Sequence, residues 1–324
     1  MPACQIEEYD DTPQARDELI PWLVRTDAQT LSAETWRRRL SHWWDENPFS
    51  SLCVERGWLL RYEGEIAGFL GLIPACYSVN AEPSPAYIAS TWRVDEKHRN
   101  ASLPMLIRLK KLAGSKIIAD TTPTPAVKEL LQRSGWRCLT DIRRRFVPLG
   151  LPSRLLSFRE WPSLPPGRFI TRDPALVRGI ATRRVTCAGV QKWITPDYLR
   201  WFATSPMRKH EFAGVIDDAG CLSSYLFLTS KRIRGIPAWM EIDHFTTEGT
   251  HDELHALVGE IVRQPALFGD QRMLSLASFP DDLSWEGCPA LHERTEHVCH
   301  CFAIPGHLQS LAKLTVLAEG DWGL

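Results

Sequence analysis

The 324-residue chain lacks any apolar stretch approaching the length of a membrane span, and its opening, Met1-Pro-Ala-Cys-Gln-Ile-Glu-Glu, has neither the basic start nor the apolar core of a signal peptide. A cytoplasmic location is the expectation. A surplus of charge is missing too: 38 Lys and Arg stand against 39 Asp and Glu, for a formal net charge of -1. That balance gives no electrostatic argument for nucleic acid or an anionic membrane as partner. Local basic runs, Trp36-Arg-Arg-Arg and Arg143-Arg-Arg, read as solvated faces. A disulfide framework is also absent, since nine cysteines, an odd number, are scattered from Cys4 to Cys301 and read as small core residues. The ligand-type side chains of Cys288, His292, His297, Cys299, His300 and Cys301 match no zinc-knuckle spacing. The run from Val298 to Ile304 reads as a strand, with Cys299 and Cys301 on one face and His300 on the other, so no metal site is expected.

What the chain does have is apolar and aromatic bulk. With 44% hydrophobic residues, 13 Trp and 12 Phe, it can fill two cores, and its length suits two domains. The proline-rich stretch from residue 151 to 167 reads as a linker between domains 1–150 and 168–324.

The most informative segment is Ala89-Ser-Thr-Trp-Arg-Val-Asp-Glu-Lys-His-Arg-Asn-Ala-Ser-Leu-Pro-Met, which reads as a strand ending near Val94, a polar turn and a helix starting near Ser102. Such a junction leaves backbone N–H groups unpaired where the helix dipole favours an anion, so a phosphate could sit there. Trp92, Val94, Arg99, Asn100, Ala101, Ser102, Leu103 and Met105 are the candidate binding residues, with Ser102 as N-cap. Pro104 has no N–H to donate.

This segment resembles the acyl-CoA signature of the GNAT superfamily of N-acyltransferases, in which the fourth strand runs through a Val into R/Q-x-x-G-x-G/A and a helix. Val94 and Arg99 match; Ser102 and Pro104 replace the two glycines. Neighbouring segments resemble the same family in order, across residues 5 to 147. Glu34-Thr-Trp-Arg-Arg-Arg-Leu-Ser-His-Trp-Trp-Asp-Glu-Asn-Pro-Phe is similar to the first-helix region of a subgroup, and Glu63-Gly-Glu joins two apolar runs as a hairpin. Lys116-Ile-Ile-Ala-Asp is a short strand, followed by a helix with Thr124 as cap, Pro125 at its first position and Gly135 as its stop.

The second half repeats this order. Pro196-Asp-Tyr-Leu-Arg-Trp-Phe echoes the Trp-containing helix, Asp217-Asp-Ala-Gly a hairpin, Ala238-Trp-Met-Glu-Ile-Asp-His-Phe a fourth strand, His251 to Arg263 a helix, and Gln271 to Phe279 a fifth strand. Leu314-Thr-Val-Leu-Ala-Glu-Gly-Asp resembles the closing strand of tandem GNAT proteins. The resemblance therefore implies an α/β protein of two tandem GNAT-like domains, each a central mixed, mostly antiparallel sheet flanked by helices. It implies an acyltransferase moving an acyl group from acetyl-CoA or another acyl-CoA to the amine of a small molecule, amino sugar or peptide.

The first domain is the expected CoA binder, because Glu248, Asp252 and Glu253 would repel a pyrophosphate at the matching helix of the second, which is left to form the acceptor pocket. The family's usual tyrosine acid is replaced by Leu131, and the strand from Ala86 to Val94 has no central carboxylate. Asp120, at the end of the fifth strand, is the acidic candidate of the first half. In the second half Glu241 and Asp243 alternate onto one face of an apolar strand, and Asp243 is the candidate base. His98 and His244 lie near the two clefts. Ser102, Pro104 and Leu131 favour the alternative of a catalytically degenerate pair that acts as a CoA-binding or interaction module. A third reading, transfer from aminoacyl-tRNA, would need a basic groove that the balanced charge does not supply.

Overall fold

The computed structural model describes residues 4–28, 30–79, 82–149, 161–181, 190–247, 251–264, 269–280 and 282–311. The chain forms two compact units. The first runs to Cys138 and takes in the late segment beginning at Cys299; the second is Leu139–Val298. Among the described residues no helix is long and apolar enough to cross a membrane.

In the first unit β1 (Gln5–Glu8) is followed by helices α1 (Pro13–Thr26) and α2 (Ala33–Trp44). Each helix starts where a hydroxyl accepts a first-turn N–H, Thr12 from Ala15 and Ser32 from Thr35. Strands β2 (Gly57–Tyr62) and β3 (Glu65–Val79) meet at Glu63-Gly64, both with positive φ, 53° and 87°, as a two-residue hairpin needs. Then come β4 (Glu82–Val94), α3 (Leu103–Ala113), β5 (Ile117–Asp120) and α4 (Pro125–Arg133). As expected, Thr124 caps α4 and Gly135, at φ 88°, ends it.

The second unit is built from β6 (Arg137–Pro148), β7 (Phe169–Thr171), the short β8 (Gly179–Ile180) and β9 (Val190–Lys192), then α5 (Pro196–Ala203) and β10 (His210–Ile216). It continues with β11 (Cys221–Ile233), β12 (Ile236–Thr246), α6 (Asp252–Arg263), β13 (Met273–Ser278) and β14 (His292–Ala303). The Leu254, Leu257, Val258 and Ile261 stripe of α6 packs on Leu226, Leu228, Trp239 and Leu274.

The strands are dealt out between the units differently from their order in the chain. In the first unit the sheet runs β1-β2-β3-β4-β5 and is completed by the end of β14, with Cys301 opposite Asp120 and Ala303 opposite Ile118. In the second unit β6 pairs antiparallel with β13, Val147 facing Leu274, and the order continues β12-β11-β10-β7. Val147 and Leu149 accordingly sit in the second core, while Cys301 and Ala303 sit in the first. The division falls at Cys138/Leu139 and not near residue 150, because β6 pairs with β13 of the second unit. Most of the expected linker, and the expected closing strand at Leu314, lie outside the described residues.

This exchange makes a prediction. Protease nicking between residues 150 and 167 should leave the two fragments together on gel filtration under native conditions, because each supplies a strand to the other's core. Elution as two separate domains would contradict it.

Two expectations about charge are corrected. Arg39, in the run read as solvated, is buried, its guanidinium 5.1 Å from the Trp36 ring centroid and 4.6 Å from that of Trp43. Arg144 is likewise buried, bonded to Ser275 Oγ at 3.1 Å and to Glu296 at 2.5 Å. In both runs the periodicity of the element turns one arginine of three inward.

Candidate functional site

Strand β4 pairs in parallel with β5 over only three positions, Ala86–Ile117, Tyr87–Ile118 and Ile88–Ala119. Beyond Ile88 it continues to Val94 along β3 alone, and its register against β3 slips between Phe69 and Gly71. Thr91 lies in the slip at φ 55°, a left-handed conformation that is strained for a β-branched residue. The bulge turns the end of β4 out of register beside β5. Two parallel strands that stop pairing this way leave backbone groups on their facing edges available to an extended ligand.

The second unit repeats the arrangement. Strand β12 pairs with β13 at Ala238–Met273, Trp239–Leu274 and Met240–Ser275, and a register slip against β11 leaves Ile242 as the extra residue. Here the protein itself occupies the facing edges. Glu241 Oε2 accepts the N–H of Ala277 at 2.9 Å, and Trp285 Nε1 donates to the carbonyl of the same residue at 3.0 Å. The carboxylate is held in turn by His244, whose Nδ1 lies 3.1 Å from Glu241 Oε1 and whose Nε2 lies 3.3 Å from Asp282 Oδ2. The α6 N-terminus is also filled: Glu253, buried, accepts from Ser224 Oγ at 3.1 Å and pairs with Arg168 at 3.5 Å. Counting from the last strand pair, Ala89 stands in the first unit where Glu241 stands in the second, and a methyl group cannot make that bridge.

The bulge overturns one expectation. Glu241 pairs across from Leu228 and Asp243 from Phe227, so the extra residue Ile242 puts the two carboxylates on opposite faces of β12. Asp243, 1% exposed, accepts at Oδ2 from Tyr225 at 2.9 Å, Tyr198 at 3.2 Å and Lys192 at 3.3 Å. Burial lowers the Lys192 pKa against the pull of Asp243, and burial with the neighbouring carboxylate holds both phenols well above their ordinary value. The cluster is thus a saturated oxygen facing three donors, with Oδ1 buried and unpartnered among the described residues.

His244 titrates in a direction that can be measured. Burial alone would lower its pKa, but the hydrogen bonds to Asp282 and Glu241 outweigh it and push the imidazole up to about 10. A raised folded-state pKa means that this pairing stabilises fully below the unfolded value of about 6.5 and is lost as pH rises through about 10. The urea midpoint reported by Trp285, whose ring centroid is 4.9 Å from that of His244, should therefore fall between pH 7 and 10. His244→Gln should flatten that slope; an unchanged slope would refute the assignment.

The phosphate-turn residues are arranged otherwise than expected. A 3-10 helix over Glu96–Ser102 leads directly into α3, and Ser102 is itself right-handed helical, φ -75°. It makes no cap bond and donates Oγ to the Arg99 carbonyl at 2.7 Å. The turn expected between strand and helix is already wound, because Pro104 at the second position of α3 is compatible with a preceding helical turn. Trp92, Val94 and Ala101 pack on the core beneath α3, where Met105 is fully buried. Arg99 is 70% exposed beside Glu96, Asn100 and Leu103 face solvent, and Pro104 still offers no N–H. Asp120 is buried and takes the Thr122 N–H at 3.3 Å, while Leu131 is core. His98 stacks on Tyr62 with centroids 4.3 Å apart. Of the late Cys/His group, Cys299 and Cys301 share a face as expected, 3.8 Å apart, while His292 stacks on Phe146 and His297 pairs with Asp141.

Sequence reasoning missed the acids that the fold brings to β4. Asp27, just past the end of α1, accepts from Arg93 of β4 at 3.1 Å, and Glu55 accepts from the Tyr87 hydroxyl. The first pair is 66 positions apart in the chain and has no local signature.

No protein-family model matches the chain, and no curated protein does. Solved structures do match. A GCN5-related N-acetyltransferase from Anabaena variabilis superposes with a TM-score of 0.62 at 10% identity, over 94% of this chain and 74% of that one. A protein from Enterococcus faecalis described as a probable N-acyltransferase gives 0.59 at 10% identity over 93% and 72%. Eis1 from Mycobacterium abscessus gives 0.52 at 12% over 92% and 73%. The fold of this chain, a mixed sheet flanked by helices, is that of the GCN5-related N-acetyltransferases.

Proposed function

We propose that the protein is an acyl-CoA-dependent N-acyltransferase whose first unit alone binds the acyl-CoA, with the extended arm of the cofactor lying between the diverging ends of β4 and β5. One observation carries this reading: both units have the same splayed strand pair, and only the second has a glutamate, Glu241, bridged across it. Solved structures with this fold include N-acetyltransferases, which supports the reaction class. The pyrophosphate would approach the segment from Arg99 to Met105, where Arg99 is the exposed cation. The amine is positioned against the thioester, and Asp120, at the end of β5, is the first-unit carboxylate this reading assigns to take its proton. In the second unit Asp243, bonded to three donors, is the carboxylate that the alternation of its strand marked as base.

The test is calorimetric titration with acetyl-CoA and longer acyl-CoAs, together with the thermal shift each produces. Binding at one site per chain is expected. Ser102→Asp, which sets a carboxylate against the pyrophosphate, should weaken it by roughly tenfold or more. Absence of binding by any acyl-CoA, or two equal sites, would refute the proposal.

A further inference from the structure

Arg93 follows the Thr91 bulge by two residues and points away from Trp92 and Val94, which pack on the α3 core. Its guanidinium is fixed from two sides. Nη2 donates to Asp27 at 3.1 Å, and the group lies 5.7 Å from the Trp36 ring centroid. Trp36 is set edge-on to Trp43, centroids 6.3 Å apart, and Arg39 stacks over both. The other arm of Arg93, Nη1, is buried and meets no acceptor among the described residues; nor do the indole N–H groups of Trp36 and Trp43, both fully buried. The Arg93 side chain as a whole remains 28% exposed, so its outer atoms meet solvent while Nη1 lies just beneath, and a ligand reaches Nη1 by displacing what covers it.

Buried donors without acceptors are costly, a charged one most of all, and folded proteins seldom keep them without a use. Three such donors lie in one packed cluster beside the splayed end of β4. The cluster is rigid, since ion pairing and stacking hold Arg93 before any ligand arrives. The missing partner is an anion. It is not the CoA pyrophosphate, because Arg93 faces away from α3, where that group would approach.

We infer that Arg93 receives an anionic group carried by the acceptor, so that the acceptors are amines that also bear a carboxylate or a phosphate. This rests on the acyl-transfer reading for the identity of the ligand as acceptor. The amine would then be placed against the thioester by an anchor on the same molecule, and the free arm of Arg93 would make the charge-assisted bond.

The experiment is a matched-pair comparison in the absence of acyl-CoA, read by calorimetry and by fluorescence of the tryptophans. Each of the twenty amino acids is titrated against its decarboxylated amine, and phosphoethanolamine and glucosamine 6-phosphate against ethanolamine and glucosamine. At least one anionic member should bind tighter than its neutral counterpart by roughly ten- to hundredfold, and the carboxylate and phosphate arms tell the two sources apart. Arg93→Gln should erase the preference. Arg93→Lys, which keeps a cation beside Asp27 and removes the second arm, should do the same in a protein that stays folded. No preference in any pair, or a preference that survives both substitutions, would overturn the assignment. So would an Arg93→Gln protein in which acylation of anionic and neutral amines falls equally, since that would place Arg93 on the thioester. Acyl-CoA titrations on the same samples separate a failure of this inference from a failure of the acyl-transfer reading.

Discussion

In a folded Ala89→Glu protein, affinity for acyl-CoA is expected to fall by at least about a hundredfold, near 2.7 kcal/mol. The substitution copies into the first unit the side chain that spans the strand splay of the second, where Glu241 takes the Ala277 N–H. A carboxylate there would occupy backbone donors that an extended ligand needs and would set a charge in its path. Ala89→Gln, of nearly the same size and uncharged, separates filling from charge and should also weaken binding, though less. Circular dichroism and the thermal midpoint establish that each variant is folded. Unaltered acyl-CoA affinity in folded Ala89→Glu would remove the ligand from this splay altogether.

The second large effect is on stability. Asp243→Ala removes from Lys192, Tyr198 and Tyr225 the buried carboxylate to which all three donate. Stranding one partner of a buried pair costs about 3–5 kcal/mol, which in a unit of this size lowers the thermal midpoint by on the order of 10 °C. Asp243→Leu combined with Lys192→Met should regain most of that loss, because a packed apolar pair often replaces a buried ion pair at no cost. The chemistry is tested with Asp243→Asn, which keeps the shape. If turnover with the true acceptor drops a hundredfold in a folded Asp243→Asn protein that binds acyl-CoA normally, Asp243 is a base; if only stability drops, it is a structural anchor.

Local structure was legible where one residue type has one conformational use. Thr124, Pro125 and Gly135 bracket α4 as read, and Glu63-Gly64 turns the first hairpin. The bulges of β4 and β12 were not legible, because Thr91 and Ile242 are ordinary strand residues and nothing local marks the extra position. That one-residue slip moved Asp243 off the face it was assigned by alternation. The same limit applies to Ser102, which has the chemistry of an N-cap but follows a segment that winds into a 3-10 helix. Buried arginines escaped notice for a related reason. A run of three gives no sign of which member faces inward until the element's period and neighbours are known, and Arg39 is recognisable only with Trp36 and Trp43 three residues before it and four after.

The strand that completes the first sheet also sets an order of events during synthesis. Asp120 and Cys301 are partners in a β-ladder, yet about 180 residues of chain separate them. A ribosome adding some 5–20 residues per second needs roughly 9–36 s to cover that interval, during which β5 has its outer edge unpaired. An open hydrogen-bonding edge is a template for another chain. Expression at a lowered rate, or with a chaperone that shields strand edges, should therefore raise the soluble yield of the full chain, and truncation before Cys299 should leave a chain that associates with itself through the open edge of β5.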